Sequence, residues 1–208
     1  MKDLIHAFSD NIKEAIAIAE ATELRKPSNK IQNIMMCGLG GSGIGAKMVA
    51  NWLQDELKVP VSLVNDYTLP GCINENTLVI GSSYSGNTEE TTIAIEEAKR
   101  RGCHIIGICS GGRLEEFCNN HGYDCIIVPG GNPPRSALAY SLIQLLHIFN
   151  TLGFVSDHKG EMLKAGSSIE SNQEEIHALA KEMARHLFGK VGVYYAETKY
   201  EGVIVRAR

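Results

Sequence analysis

Ser82-Ser83-Tyr84-Ser85-Gly86-Asn87-Thr88 brings a knot of small hydroxyl residues into one short segment. The apolar run Thr77-Leu78-Val79-Ile80 before it reads as a buried strand, and Glu89 to Arg101 after it reads as a helix. The hydroxyls therefore fall where a strand ends and a helix begins. Free N–H groups and the helix dipole attract an anion at such a point. Ser83, Ser85 and Thr88 add hydroxyl donors, and Gly86 offers its backbone. The loop holds no lysine, which sets it apart from a Walker-type nucleotide site. Neutral donors around one dianion suit the phosphate of a small phosphorylated metabolite. Ordinary capping is the competing account: Asn87 with Glu90 forms a plausible capping box. It leaves the three hydroxyls and Gly86 unexplained.

Two further loops are expected beside this one. Gly38-Leu39-Gly40-Gly41-Ser42-Gly43 satisfies Gly-x-Gly-x-x-Gly, and Asp66 follows at about the dinucleotide-fold distance, so an NAD(P) site is a rival reading. Ser42 is a hydroxyl able to face the Ser/Thr loop, and Gly41 offers backbone. A tight turn with close strand–helix contact explains the glycines equally well. The third loop runs from Pro129 to Ser136. Pro133 and Pro134 stiffen it, and Ser136 is placed to cap the next helix. Arg135 would project near the ligand edge, where its charge suits developing negative charge on a sugar oxygen. A structural ion pair is the alternative.

Positioning these loops requires alternating strands and helices. Strands are predicted at Ile34–Cys37, Val61–Val64, Leu78–Ser82, His104–Cys109 and Cys125–Val128. Helices are predicted at Ile44–Leu57, Glu89–Arg101, Leu114–His121 and Ser136–Leu152. This alternation implies an α/β, flavodoxin-like three-layer sandwich with a five-stranded parallel sheet, whose loops converge at the strands' C-terminal ends. Residues 3 to 24 form an amphipathic helix by spacing, and Arg25 to Lys30 reads as a linker. Ser136–Leu152 is apolar on most sides, so it should be buried, with His147 a satisfied interior or interface residue. A long polar helix is predicted over Gly160–Phe188 and a strand over Val191–Tyr195. They read as the start of a second, incomplete α/β domain. The expected division is 1–29 helix and linker, 30–153 first domain, and 154–208 start of the second.

Over 208 residues the net charge is −4, with no block of Lys or Arg, so nucleic acid and anionic membranes are poor partners. No stretch approaches a membrane span and the N-terminus lacks a signal-peptide pattern. The six cysteines show no Cys-x-x-Cys pair or zinc spacing. Cys37, Cys103, Cys109 and Cys125 fall in or beside apolar strand-like runs and read as buried, reduced thiols, which points to the cytoplasm.

Gly-Gly-Ser-Gly at 40–43, Ser-Tyr-Ser-Gly-Asn-Thr-Glu-Glu-Thr at 83–91 and Pro-Arg-Ser-Ala at 134–137 occur in an order and spacing that resembles the bifunctional phosphoglucose/phosphomannose isomerases of the SIS-domain superfamily. The resemblance runs from about residue 30 onward. It implies that Ser42, Ser83, Ser85 and Thr88 hold the phosphate of a hexose 6-phosphate, and that Arg135 acts at the reacting C1–C2 edge. It further implies isomerisation of glucose and mannose 6-phosphate to fructose 6-phosphate, with no metal or cofactor, in a homodimer. The family's base is a Glu of an Asn-Glu-Asn-like segment in the second SIS domain, with a ring-opening His beyond it. Tyr200 to Arg208 looks like the approach to that segment, so an inactive piece is expected. Glu201 does not match the motif. A non-catalytic sugar-phosphate-binding SIS module, another SIS isomerase and an NAD-dependent oxidoreductase remain alternatives.

Overall fold

The computed structural model describes residues 2–207. Five strands, Asn33–Cys37 (β1), Val61–Val64 (β2), Thr77–Ser82 (β3), His104–Cys109 (β4) and Asp124–Ile127 (β5), form one sheet in the order β2-β1-β3-β4-β5. Every pairing is parallel. This is the flavodoxin-like order read from the sequence. β3 is central and all six of its residues are buried, as a continuous apolar run requires when both faces are covered. The order reverses between β1 and β3, so the crevice outside their C-terminal ends is where such sheets bind ligands.

Alternate strand residues feed two cores. Ile34, Met36, Leu78, Ile80, Ile106 and Ile108 pack with helices Phe8–Ala21 (α2), Gly40–Trp52 (α3) and Leu138–Thr151 (α6). Met35, Cys37, Val79, Ile105 and Cys109 pack with Glu89–Arg100 (α4) and Gly112–His121 (α5). The predicted first helix divides at Ala7 into Lys2–His6 (α1) and α2. The linker after it is anchored to β5 by Arg25, whose guanidinium meets Asp124 Oδ1 at 2.6 Å. α6 is buried nearly all round because it lies against both α2 and α3. Its polar residues are satisfied there: Gln144 Nε2 donates to the Ala15 carbonyl at 2.8 Å, and His147 Nε2 lies 3.3 Å from the Thr22 carbonyl. Burial pulls the His147 pKa down, so the ring stays neutral in its contact.

Beyond Gly153 two expectations need correction. The long predicted helix breaks at Asn172 into Lys159–Ser171 (α7) and Gln173–Leu187 (α8). α7 packs on α2, with Lys13 Nζ 3.0 Å from Glu170 Oε2, whereas no α8 residue is buried. Val191–Tyr195 is not a strand. It pairs with no other segment among the described residues, and Val191 and Tyr195 are 92% and 90% exposed. A β-favouring sequence forms a strand only against a neighbour that takes its backbone hydrogen bonds. A 3₁₀ turn at Thr198–Tyr200 then leads into Glu201–Ala207 (α9), which lies along α3. No helix among the described residues is long and apolar enough to cross a membrane.

The segment leading into α7 is fastened to the end of α3 by a histidine between two carboxylates. His158 Nε2 lies 2.9 Å from Glu56 Oε2 and Nδ1 lies 2.8 Å from Glu161 Oε2, with Trp52 beside the ring. Burial lowers the His158 pKa, but the hydrogen bonds and charges of Glu161 and Glu56 together outweigh it and leave it raised. Glu56, which also accepts from the Ser156 N–H, is held down at about 2 and stays ionised at neutral pH. A raised folded-state pKa stabilises fully below the unfolded value of about 6.5 and less as pH rises through the folded one. Replacing His158 by Gln should therefore lower the melting temperature more at pH 6 than at pH 9. Melting curves of both proteins at the two pH values check this. An equal drop at both would mean the ring is neutral throughout.

Candidate functional site

α3 begins at Gly40, not at Ile44 as the periodicity suggested, so the glycine segment is the helix's own first turn and only Gly38-Leu39 connects it to β1. The glycines are there for close approach. A Cβ on Gly38 would stand 2.8 Å from the Ser82 carbonyl oxygen, one on Gly43 2.6 Å from the Gly38 carbonyl, and one on Gly41 3.0 Å from the Pro134 carbonyl. The first turn of α3 is thus wedged between the β3 end and the proline loop. Packing thus accounts for the first and third glycines of the pattern, while a Cβ on Gly40 would meet nothing within 4 Å. Asp66 is exposed, and its Oδ1 accepts the Tyr67 N–H at 2.6 Å.

Ser42 is buried and its Oγ accepts the Tyr84 N–H at 3.3 Å, which leaves its own proton free to donate. Ser83 is buried too. Its Oγ lies 2.8 Å from Thr88 Oγ1 and accepts the Thr88 N–H at 3.3 Å. Ser85 is exposed, and its Oγ accepts the Asn87 N–H at 3.2 Å. Thr88 precedes the first turn of α4, so the hydroxyls surround the helix N-terminus as the spacing implied. The capping box is not formed. Asn87 lies one residue outside the cap position, and its amide braces the neighbouring unit instead. Its Nδ2 donates to the Ser85 carbonyl at 3.1 Å, and its Oδ1 accepts the Arg113 N–H at 3.2 Å. Gly86 turns the loop at φ +68°, and a Cβ there would run into the Gly111 carbonyl.

In the third loop Pro134–Ser136 is a 3₁₀ turn. Ser136 does not cap α6, because its Oγ donates back to the Pro133 carbonyl at 2.8 Å and holds that turn closed. Arg135 is exposed. Among the described residues its guanidinium makes no hydrogen bond and no ion pair, so the structural ion pair considered above is not formed. Glu201 is engaged elsewhere, 2.5 Å from Lys47 Nζ on α3. Among the described residues no group of three or more His, Cys, Asp or Glu side chains could hold a metal ion.

The sequence reading overlooked Tyr84 as the fastener of these loops. Its hydroxyl donates to the Pro129 carbonyl at 2.8 Å and accepts the Asn132 N–H at 3.2 Å. Its carbonyl accepts from Ser110 N at 2.8 Å and Ser110 Oγ at 2.7 Å. The only hint in sequence was an aromatic residue amid small hydroxyl residues. The seam under the loops is nearly filled, with a cavity of about 10 Å³ left among Gly41, Ser42, Ser82, Tyr84, Pro134 and Tyr140. Replacing Tyr84 by Phe should cost about 1 kcal/mol of stability, the usual net value of such bonds. It should also speed exchange of the Asn132 amide. Urea unfolding with amide hydrogen exchange checks both, and unchanged exchange at Asn132 would remove Tyr84 from the fastening role.

Comparison with known proteins places this geometry. Residues 29–123 match the SIS domain. The chain is 37% identical over 202 residues to the bifunctional phosphoglucose/phosphomannose isomerase of Caldicellulosiruptor bescii, covering 94% of this chain and 60% of that protein. It is 35% identical over 178 residues to the protein of the same name from Aquifex aeolicus, covering 85% of this chain and 54% of that one. Its fold matches tagatose-6-phosphate ketose/aldose isomerase from Escherichia coli with a TM-score of 0.63 at 15% identity, over 99% of this chain and 59% of that one. The chain thus spans between half and three-fifths of the length of these curated relatives. It carries a SIS domain and, over most of its length, is similar to the bifunctional phosphoglucose/phosphomannose isomerases.

Proposed function

We propose that the chain supplies the sugar-phosphate-binding part of an aldose–ketose isomerase that interconverts glucose 6-phosphate and mannose 6-phosphate with fructose 6-phosphate. One observation carries the reading: buried Ser42 and Ser83 and half-buried Thr88 lie together where α4 begins, at the reversal point of a parallel sheet. A phosphate set on that helix end accepts from hydroxyls and N–H groups that are already aligned. Ser85 completes the ring from the exposed side, with Gly41 and Gly86 giving backbone. Anchoring the phosphate orients the rest of the sugar and converts proton transfer into a local event. A carboxylate base removes the C2 proton, the electron pair forms the C1–C2 enediol, and the proton returns to C1. Glucose and mannose 6-phosphate differ only at C2, which is planar in the enediol, so one intermediate serves both. The shift is internal to the sugar, so no redox cofactor is required. Arg135, whose charge is unspent, stabilises the enediolate oxygen.

The base belongs, in this reading, to a second SIS domain that residues 154–208 begin. Glu201 is disfavoured because Lys47 holds it on α3. The exposed stripe Ile176, Leu179, Met183 and Leu187 on α8 fits a surface that this second domain or a second copy of the chain would cover.

Ser85→Ala and Thr88→Ala should each weaken fructose 6-phosphate binding by about 1–3 kcal/mol, the range for a hydrogen bond to a charged group. Calorimetric titration of the chain measures this, and unaltered affinity in both variants would remove the loop from the site. The same titration with NADH should show no specific binding below millimolar concentration, as expected if the hydroxyl loops take a sugar phosphate. A dinucleotide site abolished by Asp66→Ala would instead establish the oxidoreductase reading. A coupled assay on both hexose phosphates should find turnover in a protein of the relatives' full length. In the 208-residue chain it should fall by at least the factor of about 10²–10⁴ that loss of a general base costs.

A further inference from the structure

α9 runs antiparallel to α3. Asn51 Nδ2 donates to the Thr198 carbonyl at 3.0 Å, Lys47 pairs with Glu201, and Gly202 sits so close that a Cβ on it would stand 2.9 Å from the Met48 nitrogen. Later residues of α9 therefore advance toward the first turn of α3, about 1.5 Å per residue. The half-buried Arg206 arrives at the proline loop and its Nη2 donates to the Arg135 carbonyl. Pro134, the neighbouring residue, is the one that rests on Gly41. Two guanidinium-bearing residues thus meet beside the glycine turn of α3. Among the described residues neither has a carboxylate partner. Burial first, and then the Arg135 charge, make Arg206 harder to keep charged than an isolated arginine. Like charges held together without a counter-ion are unfavourable, and an anion between them relieves the cost.

We propose that Arg206 is a positioning residue of the sugar-phosphate site, holding the Arg135 loop by its carbonyl and adding a second positive charge to the one that an anionic sugar meets there. This rests on the function proposed above. The hydroxyl ring around Ser83 is electrically neutral, so the chain's attraction for the anionic sugar comes from this pair together with the α4 terminus.

The test is titration of fructose 6-phosphate into the 208-residue chain and its Arg206 variants over a range of salt concentrations. Arg206→Gln keeps a donor for the carbonyl but removes the charge. It should weaken binding about tenfold, the scale of one charge-assisted hydrogen bond, and flatten the salt dependence. Arg206→Lys keeps the charge and should stay within about threefold of the wild type, since an ammonium replaces a guanidinium only in part. Arg206→Met serves if the Gln variant fails to fold, with the same loss expected. Unchanged affinity and salt slope in a folded Gln or Met variant would overturn the inference and leave the phosphate site standing. A wild-type chain that binds no fructose 6-phosphate would overturn the site reading and this inference with it.

Discussion

Backbone meets backbone at the ligand edge of this sheet, at distances where a side chain would not fit. The β1–α3 turn reaches the Ser82 carbonyl, the proline loop reaches Gly41, and Gly86 lies on Gly111. Glycine alone tolerates these approaches, because a Cβ at any of them would sit inside a neighbouring carbonyl's contact distance. The rest of the site follows from that contact. With the turns pressed together, Ser42 reaches the Tyr84 N–H, Tyr84 reaches the proline loop, and Ser83 reaches Thr88. Hydroxyls from separate loops end up in one place through these contacts.

The loop hydroxyls are neutral, and this shapes the electrostatics. A ring of hydroxyls and N–H groups gives direction and geometry for a phosphate but little long-range attraction. The charge stands apart, on Arg135 and Arg206, which lie beside the first turn of α3. Under the proposed function, this separation of anchoring from charge suits a reaction in which one end of the substrate stays fixed while negative charge develops at the other.

Much of this was legible beforehand because the signals were local. Five apolar runs, each bounded by small residues, gave five strands, and the hydroxyl cluster before Glu89 fell at a helix start as its spacing required. The misreadings came where the partners, or their lack, differed from what the local pattern implied. Asn87 with Glu90 satisfied a capping pattern, yet the α5 N-terminus offered Asn87 a partner that no sequence spacing reveals. Ser136 falls one residue before the cap position of α6, inside a 3₁₀ turn that Pro134 begins. Val191–Tyr195 has the composition of a strand and no neighbour to pair with.

The sequence by itself determined the alternation of elements, the burial of α6 and the gathering of Ser83, Ser85 and Thr88 at a helix end. Periodicity, chain length and helix polarity are properties of neighbouring residues. Tertiary structure alone decided that Ser42 faces Tyr84, that Tyr84 fastens the proline loop, that Lys47 engages Glu201, and that Arg206 comes to lie on Arg135. These pairs are separated by between 42 and 154 residues. Only the docking of whole elements, driven by burial of their apolar faces, brings such side chains within reach of one another.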